Sequence, residues 1–199
     1  MLGRLELVPT YAWSRLDLRS GLGLVRLETE HLIQVEGYEI AVNDQQSWAV
    51  TFQVRLDSAW RTRYAEIVVV DDQGSRQVSL EANGEGNWYL NGTPAAELDG
   101  CLDVDIAATP FTNTFVIRRL ELPVGEVGEV RVAWVSVPSL EVAAMDQTYV
   151  HLEQLDGRDR YEYRSGSSED GWNIEVDEDG VVLDYEGFAH RLHPKRAVV

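Results

Sequence analysis

Residues Gly100–Leu120 read GCLDVDIAATPFTNTFVIRRL. Two β-like runs, LDVDI and FVIRRL, flank a turn-rich connection, AATPFTNT. Alternation of apolar and polar residues marks a half-buried strand, so the expected order is strand, connection, strand. Leu102, Val104 and Ile106 then share one face, and Cys101, Asp103 and Asp105 share the other. Residues two apart on a strand lie about 6–7 Å from each other. Two carboxylates that close repel, and on an inward face they need cations. Arg118 and Arg119 follow in the second run. Adjacent strand residues point oppositely, so one arginine is expected beside the acids and the other at solvent or a cavity mouth. Two outcomes stay open: a structural ion network, or the charged lining of a functional cavity.

The pattern extends outward in both directions. Residues 23–29, 32–42, 47–56 and 62–70 alternate and are rich in β-branched and aromatic residues. Glu30 and His31 stand at one turn, DSAW (57–60) at a corner, DDQGSR (71–76) at a hairpin, and Asn91-Gly92 gives a strong hairpin signal. Downstream, residues 129–137 and 140–152 read as long strands, and residues 161–192 as a terminal meander. No window of about a dozen residues keeps a 3.6-residue apolar period. The best helical candidate is one turn at Pro110–Asn113, with Thr109 as cap and proline at the first position. The expected fold is all-β: one domain over residues 1–199, a large antiparallel barrel or half-barrel of a dozen or more strands, with little or no helix. Barrels of that size enclose cavities.

Charge narrows the partners. Acidic residues number 34 against 17 basic, a net charge of −17. Such a surface is repelled by nucleic-acid phosphates and by anionic lipid headgroups, so no nucleic-acid partner is expected. No apolar run approaches the ~20 residues that span a bilayer, so no integral membrane association is expected. MLGRLELVPTYAW lacks the pattern of a signal peptide. With one cysteine, Cys101, no intramolecular disulfide can form. These features point to a cytoplasmic protein.

Motifs for chemistry are sparse. Glu175–Glu186 reads EVDEDGVVLDYE and approximates a calcium loop. Its first position is Glu175 rather than aspartate and its flanks alternate as strands, so a hairpin turning at Asp177–Gly180 is expected. His31, His151, His190 and His193 are scattered, with no cysteine or acidic cluster to complete a zinc shell. There is neither a nucleophile elbow nor a phosphate-cradling glycine loop, and no metal or cofactor is expected. Cys101 reads as packing. Asp103 and Asp105 could in principle serve as acid and base.

Six tryptophans stand out: Trp13, Trp48, Trp60, Trp88, Trp134 and Trp172. They belong to the core or, in a lumen, to walls that suit acyl chains or sugar faces. Beside Trp60, Arg61 and Arg63 share a strand face. That doubly cationic spot either suits a phosphate or carboxylate head or offsets neighbouring acids.

Leu98–Leu122, LDGCLDVDIAATPFTNTFVIRRLEL, resembles the signature segment of a bacterial family named for glycolipid binding. DSAWRTR (57–63), GEGNWYLN (84–91), QTYVHL (147–152) and VVLDYE (181–186) resemble its other blocks, so the resemblance covers nearly the whole chain. It implies a non-catalytic protein that holds a glycolipid or other amphiphile in its lumen, and it brings no catalytic residues. On that reading Asp103, Asp105, Asn113, Arg118 and Arg119 form the polar end of the cavity. Trp60 and Trp88 stand near its walls, and Arg61 and Arg63 offer a second polar contact. The alternative is an enzyme of lipid or small-molecule metabolism that works through Asp103, Asp105 and an arginine. A third class, an interaction scaffold, would show a large apolar surface patch instead of a cavity.

Overall fold

A computed structural model describes residues 8–29, 32–166, 168 and 170–192. Residues 1–7, Glu30 and His31 (expected at a turn), Ser167, Glu169 and residues 193–199, His193 among them, lie outside the described residues. Where apolar and polar residues alternate, the chain is extended. The first eight strands are β1 (Thr10–Arg15), β2 (Ser20–Glu28), β3 (Ile33–Val42), β4 (Ser47–Leu56), β5 (Thr62–Asp71), β6 (Gly74–Ala82), β7 (Trp88–Leu90) and β8 (Thr93–Pro94). After a 3-10 turn at Ala96–Leu98 come β9 (Asp103–Ile106), the helix α1 (Thr112–Leu120), β10 (Val127–Val135) and β11 (Val142–Leu155). The last described strands are β12 (Arg158–Ser165), β13 (Trp172–Val176), β14 (Val182–Tyr185) and β15 (Ala189–Leu192). β4 shows the logic: Trp48, Val50, Phe52, Val54 and Leu56 are buried, while Thr51, Gln53 and Arg55 are exposed.

The fifteen strands among the described residues form one sheet, ordered β8-β7-β6-β5-β4-β3-β2-β1-β15-β14-β13-β12-β11-β10-β9. β1 pairs with β15, so the first and last described strands meet mid-sheet and a meander runs outward on each side. The sheet curls without closing. Its curl brings β9 to the start of β5, where the Thr62 N–H donates to the Leu102 carbonyl at 3.0 Å. The Thr62 hydroxyl in turn accepts from the Val104 N–H at 2.9 Å. These bonds occupy backbone groups that an open edge would leave unpaired. The curled, barrel-like all-β reading therefore holds.

One expected strand is a helix. FVIRRL belongs to α1, and β9 pairs with β10 in parallel rather than antiparallel. Parallel neighbours need a crossover that returns the chain to the same end, and α1 supplies it. The local signals agree in retrospect. The Thr109 hydroxyl accepts from the Phe111 N–H at 3.2 Å. Phe111 and Phe115 repeat at i,i+4, and Arg118 and Arg119 fall in the last turn, where cations suit the helix dipole. Every residue from Thr112 to Ile117 is buried. Phe111 packs edge-on against Phe115 and Trp13, with centroids 5.8 and 5.9 Å apart. Side chains of α1 and its approach thus pack within the curl, where the sequence reading expects an open lumen.

Two further details set the sheet. Phe52 lies opposite Gly37 with its ring across the glycine, in the space a Cβ there would take. On the outer face, Leu22 and Leu24 stand opposite Ile40 and Tyr38, and all four are exposed. Among the described residues, no helix is long and apolar enough to cross a membrane.

Candidate functional site

β9 and α1 place the two aspartates in different environments. Asp103 is fully buried. The Arg119 Nε donates to its two carboxylate oxygens at 3.0 and 3.2 Å, and Nη2 donates at 2.6 Å. Burial pushes the Asp103 carboxyl up and the Arg119 guanidinium pulls it back, leaving it above the ordinary range. Arg118 diverges from Arg119, as neighbours on a helix do. It donates to the Asp179 carbonyl at 3.1 Å and sits 5.0 Å from the centroid of the Trp60 ring.

Asp105 has no such cation. Its Oδ1 accepts from the Thr112 hydroxyl and its Oδ2 from the Gln147 amide, both at 2.7 Å. The Tyr149 hydroxyl donates to Asn113 Oδ1 at 2.8 Å and lies 3.4 Å from Gln147 Oε1. This network ties β9, α1 and β11 together. Burial pushes the Asp105 carboxyl up. Bonds from Thr112 and Gln147 oppose that, and repulsion from Asp103 adds to it.

Beside Asp105 opens a pocket of about 200 Å³. Its polar lining residues are Asp105, Thr109, Asn113 and Ser165. Its walls are aromatic: Trp134, Tyr163, Trp172, Tyr185 and Phe188. The rings are set at angles to one another. Tyr163 meets Tyr185 at 74° with centroids 5.8 Å apart, and Tyr185 meets Phe188 at 50° and 4.9 Å. Tyr163 and Trp172 lie 6.3 Å apart at 40°. Burial raises the hydroxyls of Tyr163 and Tyr185 and keeps them protonated.

No lysine or arginine lines this pocket. The Arg15 guanidinium lies 4.0 Å over the ring of Phe188, one of its wall residues. Arg15 is engaged by Glu39 at 2.5 Å, by Asp17 at 2.6 Å and by the Ala108 carbonyl at 2.7 Å. It thereby anchors the β9–α1 loop at the pocket rim.

Of the residues chosen from sequence, Asp105 and Asn113 line the pocket. Asp103 and Arg119 pair with each other, while Arg118 and Trp60 meet at the C-terminal end of α1. The cationic spot is spent internally. Arg61 donates to the Gly84 carbonyl at 3.1 Å and Arg63 to the Asn83 carbonyl. Trp88 is buried, with its indole N–H on the Cys101 carbonyl at 2.8 Å. Burial pushes the Cys101 thiol up to about 11, away from a reactive thiolate. Asp177–Gly180 forms the β13–β14 turn, with Asp177 accepting the N–H groups of Asp179 and Val181. His151 is held between the Leu122 carbonyl and Asp159, and His190 beside Asp184.

Of the wall, the sequence marks Trp134 and Trp172 among its six tryptophans; Tyr163, Tyr185 and Phe188, and with them Thr112, Gln147 and Tyr149, it does not single out. A signal was present, since Gln147 and Tyr149 fall in QTYVHL and Tyr185 in VVLDYE, two of the family-like blocks.

The chain matches, over residues 10–191, the family described as "Putative glycolipid-binding". It belongs to that family. A crystal structure of a DUF1089 family protein from Pseudomonas aeruginosa is 33% identical, with a TM-score of 0.78 over 96% of this chain and 98% of that one. A β-barrel-like protein of the DUF1849 domain from Brucella abortus is 11% identical, with a TM-score of 0.56 over 94% of this chain and 95% of that one. The latter likeness shows the fold alone. No curated protein matches the chain.

Proposed function

We propose that the protein binds a glycolipid or a similar amphiphile without turning it over, seating the headgroup in the pocket beside Asp105. One observation carries this reading: five aromatic residues and the polar residues Asp105, Thr109, Asn113 and Ser165 line one pocket of about 200 Å³. A sugar ring presents an apolar C–H face and a rim of hydroxyls. Flat aromatic rings suit the first, and a carboxylate and an amide suit the second. The volume lies below the roughly 300–1,000 Å³ of drug-sized ligand sites, so the pocket fits a headgroup and leaves the tail outside it. The burial of α1 supports this over a ligand threaded through the lumen. Paired-carboxylate catalysis is less supported, because Asp103 is bonded to Arg119 and does not line the pocket.

Native mass spectrometry of the purified protein, followed by solvent extraction, tests the reading. The expected result is a co-purifying amphiphile of discrete mass, depleted in Trp172→Ala at unchanged melting temperature. A clean mass after incubation with lipid extract, or equal retention by the variant, would count against it. The exposed cluster Leu22, Leu24, Tyr38 and Ile40 favours a second reading, an interaction surface. Ile40→Glu separates the two, because it removes an apolar contact and leaves the pocket intact.

A further inference from the structure

We propose that the pocket selects a cationic headgroup, with an ammonium nitrogen seated among the tilted aromatic rings and against the Asp105 carboxylate. The inference rests on reading this pocket as the headgroup site, and it names the chemistry that site prefers.

The first ground is a carboxyl group with no cationic partner. Asp103 has its own guanidinium, which makes three close contacts. Asp105, two residues on, has only neutral donors, one on each oxygen. A carboxylate offers about four acceptor positions, so Asp105 keeps capacity for a charged donor. No basic side chain lines the pocket to supply one, and Arg15 beyond Phe188 is already engaged by Glu39 and Asp17.

The second ground is the shape of the wall. Tyr163, Trp172, Tyr185 and Phe188 all line the pocket and meet at 40°, 74° and 50°, so ring faces and edges are turned at angles to one another rather than stacked flat. Ring faces are electron-rich and attract ammonium groups, most strongly where water is excluded. The third ground is long-range: a net charge of −17 draws cations toward the protein and repels anions. A phosphate or sulfate head would meet Asp105 with no counter-charge in the pocket. The amine of an amino sugar, or a quaternary nitrogen, would complete the site.

Ammonium binding favours the ionised carboxylate, so affinity should climb with pH until Asp105 is fully ionised. The groups that bear on this titration are the Asp103 carboxylate, which repels it, and the Thr112 and Gln147 donors. The Tyr149, Tyr163 and Tyr185 hydroxyls, all held neutral, complete the surroundings.

Calorimetric titration of the full chain tests the proposal with two matched pairs. One is choline against its uncharged isostere with carbon in place of nitrogen. The other is an alkyl glucoside, below its micellar concentration, against the same glycoside with an amino group replacing one ring hydroxyl. The charged member of each pair should bind at least about tenfold tighter. Asp105→Asn, checked for an unchanged fold by circular dichroism, should erase that margin. The wild-type comparison stands even if the variant does not fold. Equal affinity within both pairs overturns the cation preference, as does failure of both charged members to bind. If both glycosides bind equally and choline shows no preference, the cation preference fails and the glycolipid reading stands. If choline is preferred and neither glycoside binds, the cation site stands and the glycolipid reading fails.

Discussion

Arg119→Met isolates the ion pair beneath the pocket. Asp103 is fully buried and takes three contacts from Arg119, the shortest 2.6 Å. At about 4 Å between charge centres and an effective dielectric near 20, the attraction is on the order of 4 kcal/mol. Stranding one partner of a buried pair typically costs about 3–5 kcal/mol. Urea unfolding at neutral pH, followed by tryptophan fluorescence, should therefore show a loss of about 3–5 kcal/mol at an unchanged m-value. The sign of the pH dependence is fixed. Burial already raises the folded Asp103 above its ordinary value, and removing Arg119 raises it further. An acid with a raised folded pKa contributes stability below its unfolded value, near 3.9, and loses it as pH rises through the folded value. The penalty of Arg119→Met should accordingly shrink toward pH 4. Asp103→Leu combined with Arg119→Met should recover most of the loss, since an apolar pair of similar volume often replaces a buried ion pair without penalty. A loss below about 1 kcal/mol at neutral pH, as for an exposed ion pair, would refute the reasoning.

Glu39 is buried beside Arg15 and its carboxyl is pushed up to about 7, chiefly by burial. Its contribution is present below about pH 4.5 and lost as pH rises through 7, on the order of 3 kcal/mol in all. Glu39→Gln should flatten the fall in stability between pH 5 and 7.5, and an unchanged slope would contradict this. Gly37→Ala should cost about 1–3 kcal/mol by thermal melting, because the new methyl meets the Phe52 ring. Adding Phe52→Leu should relieve part of that loss. Tyr149→Phe leaves the buried Asn113 Oδ1 without its 2.8 Å donor, and urea unfolding should register about 1–3 kcal/mol. A neutral Tyr149→Phe would mean that the network does not hold Asn113.

Most strands were legible because alternation is local and each strand carries its own. Local pattern does not mark the β1 segment TYAWSR; its pairing with β15, across nearly the whole chain, defines it. The helix was misread for a related reason. Phe115, Val116 and Ile117 favour strands by type, and the parallel pairing of β9 with β10 overrides that preference. Arg118 and Arg119 still separate, toward Trp60 and Asp103, as adjacent strand residues would; what the helix changes is the element that carries them.

Asp105 and Asn113 were readable because both lie in the central segment. The aromatic wall comes from β10, β12, β13, β14 and the turn after it, and only the curl of the sheet gathers these residues. Arg61 and Arg63 looked available because the carbonyls they bond belong to a turn twenty or more residues later. Unpaired turn carbonyls leave no trace in composition.

The six tryptophans provide the most direct test of headgroup binding. Nuclear magnetic resonance of the indole N–H groups, recorded during titration with an alkyl glucoside and its amino analogue, reports each ring separately. Binding in the pocket predicts shifts at Trp134 and Trp172, which line it. Trp13 and Trp88 should stay still, because both are buried and bonded to the carbonyls of Val182 and Cys101. A shift at Trp60 with Trp134 and Trp172 unmoved would place the ligand at the opposite end of α1 and contradict the assignment. No shift at any indole with either glycoside would contradict headgroup binding itself.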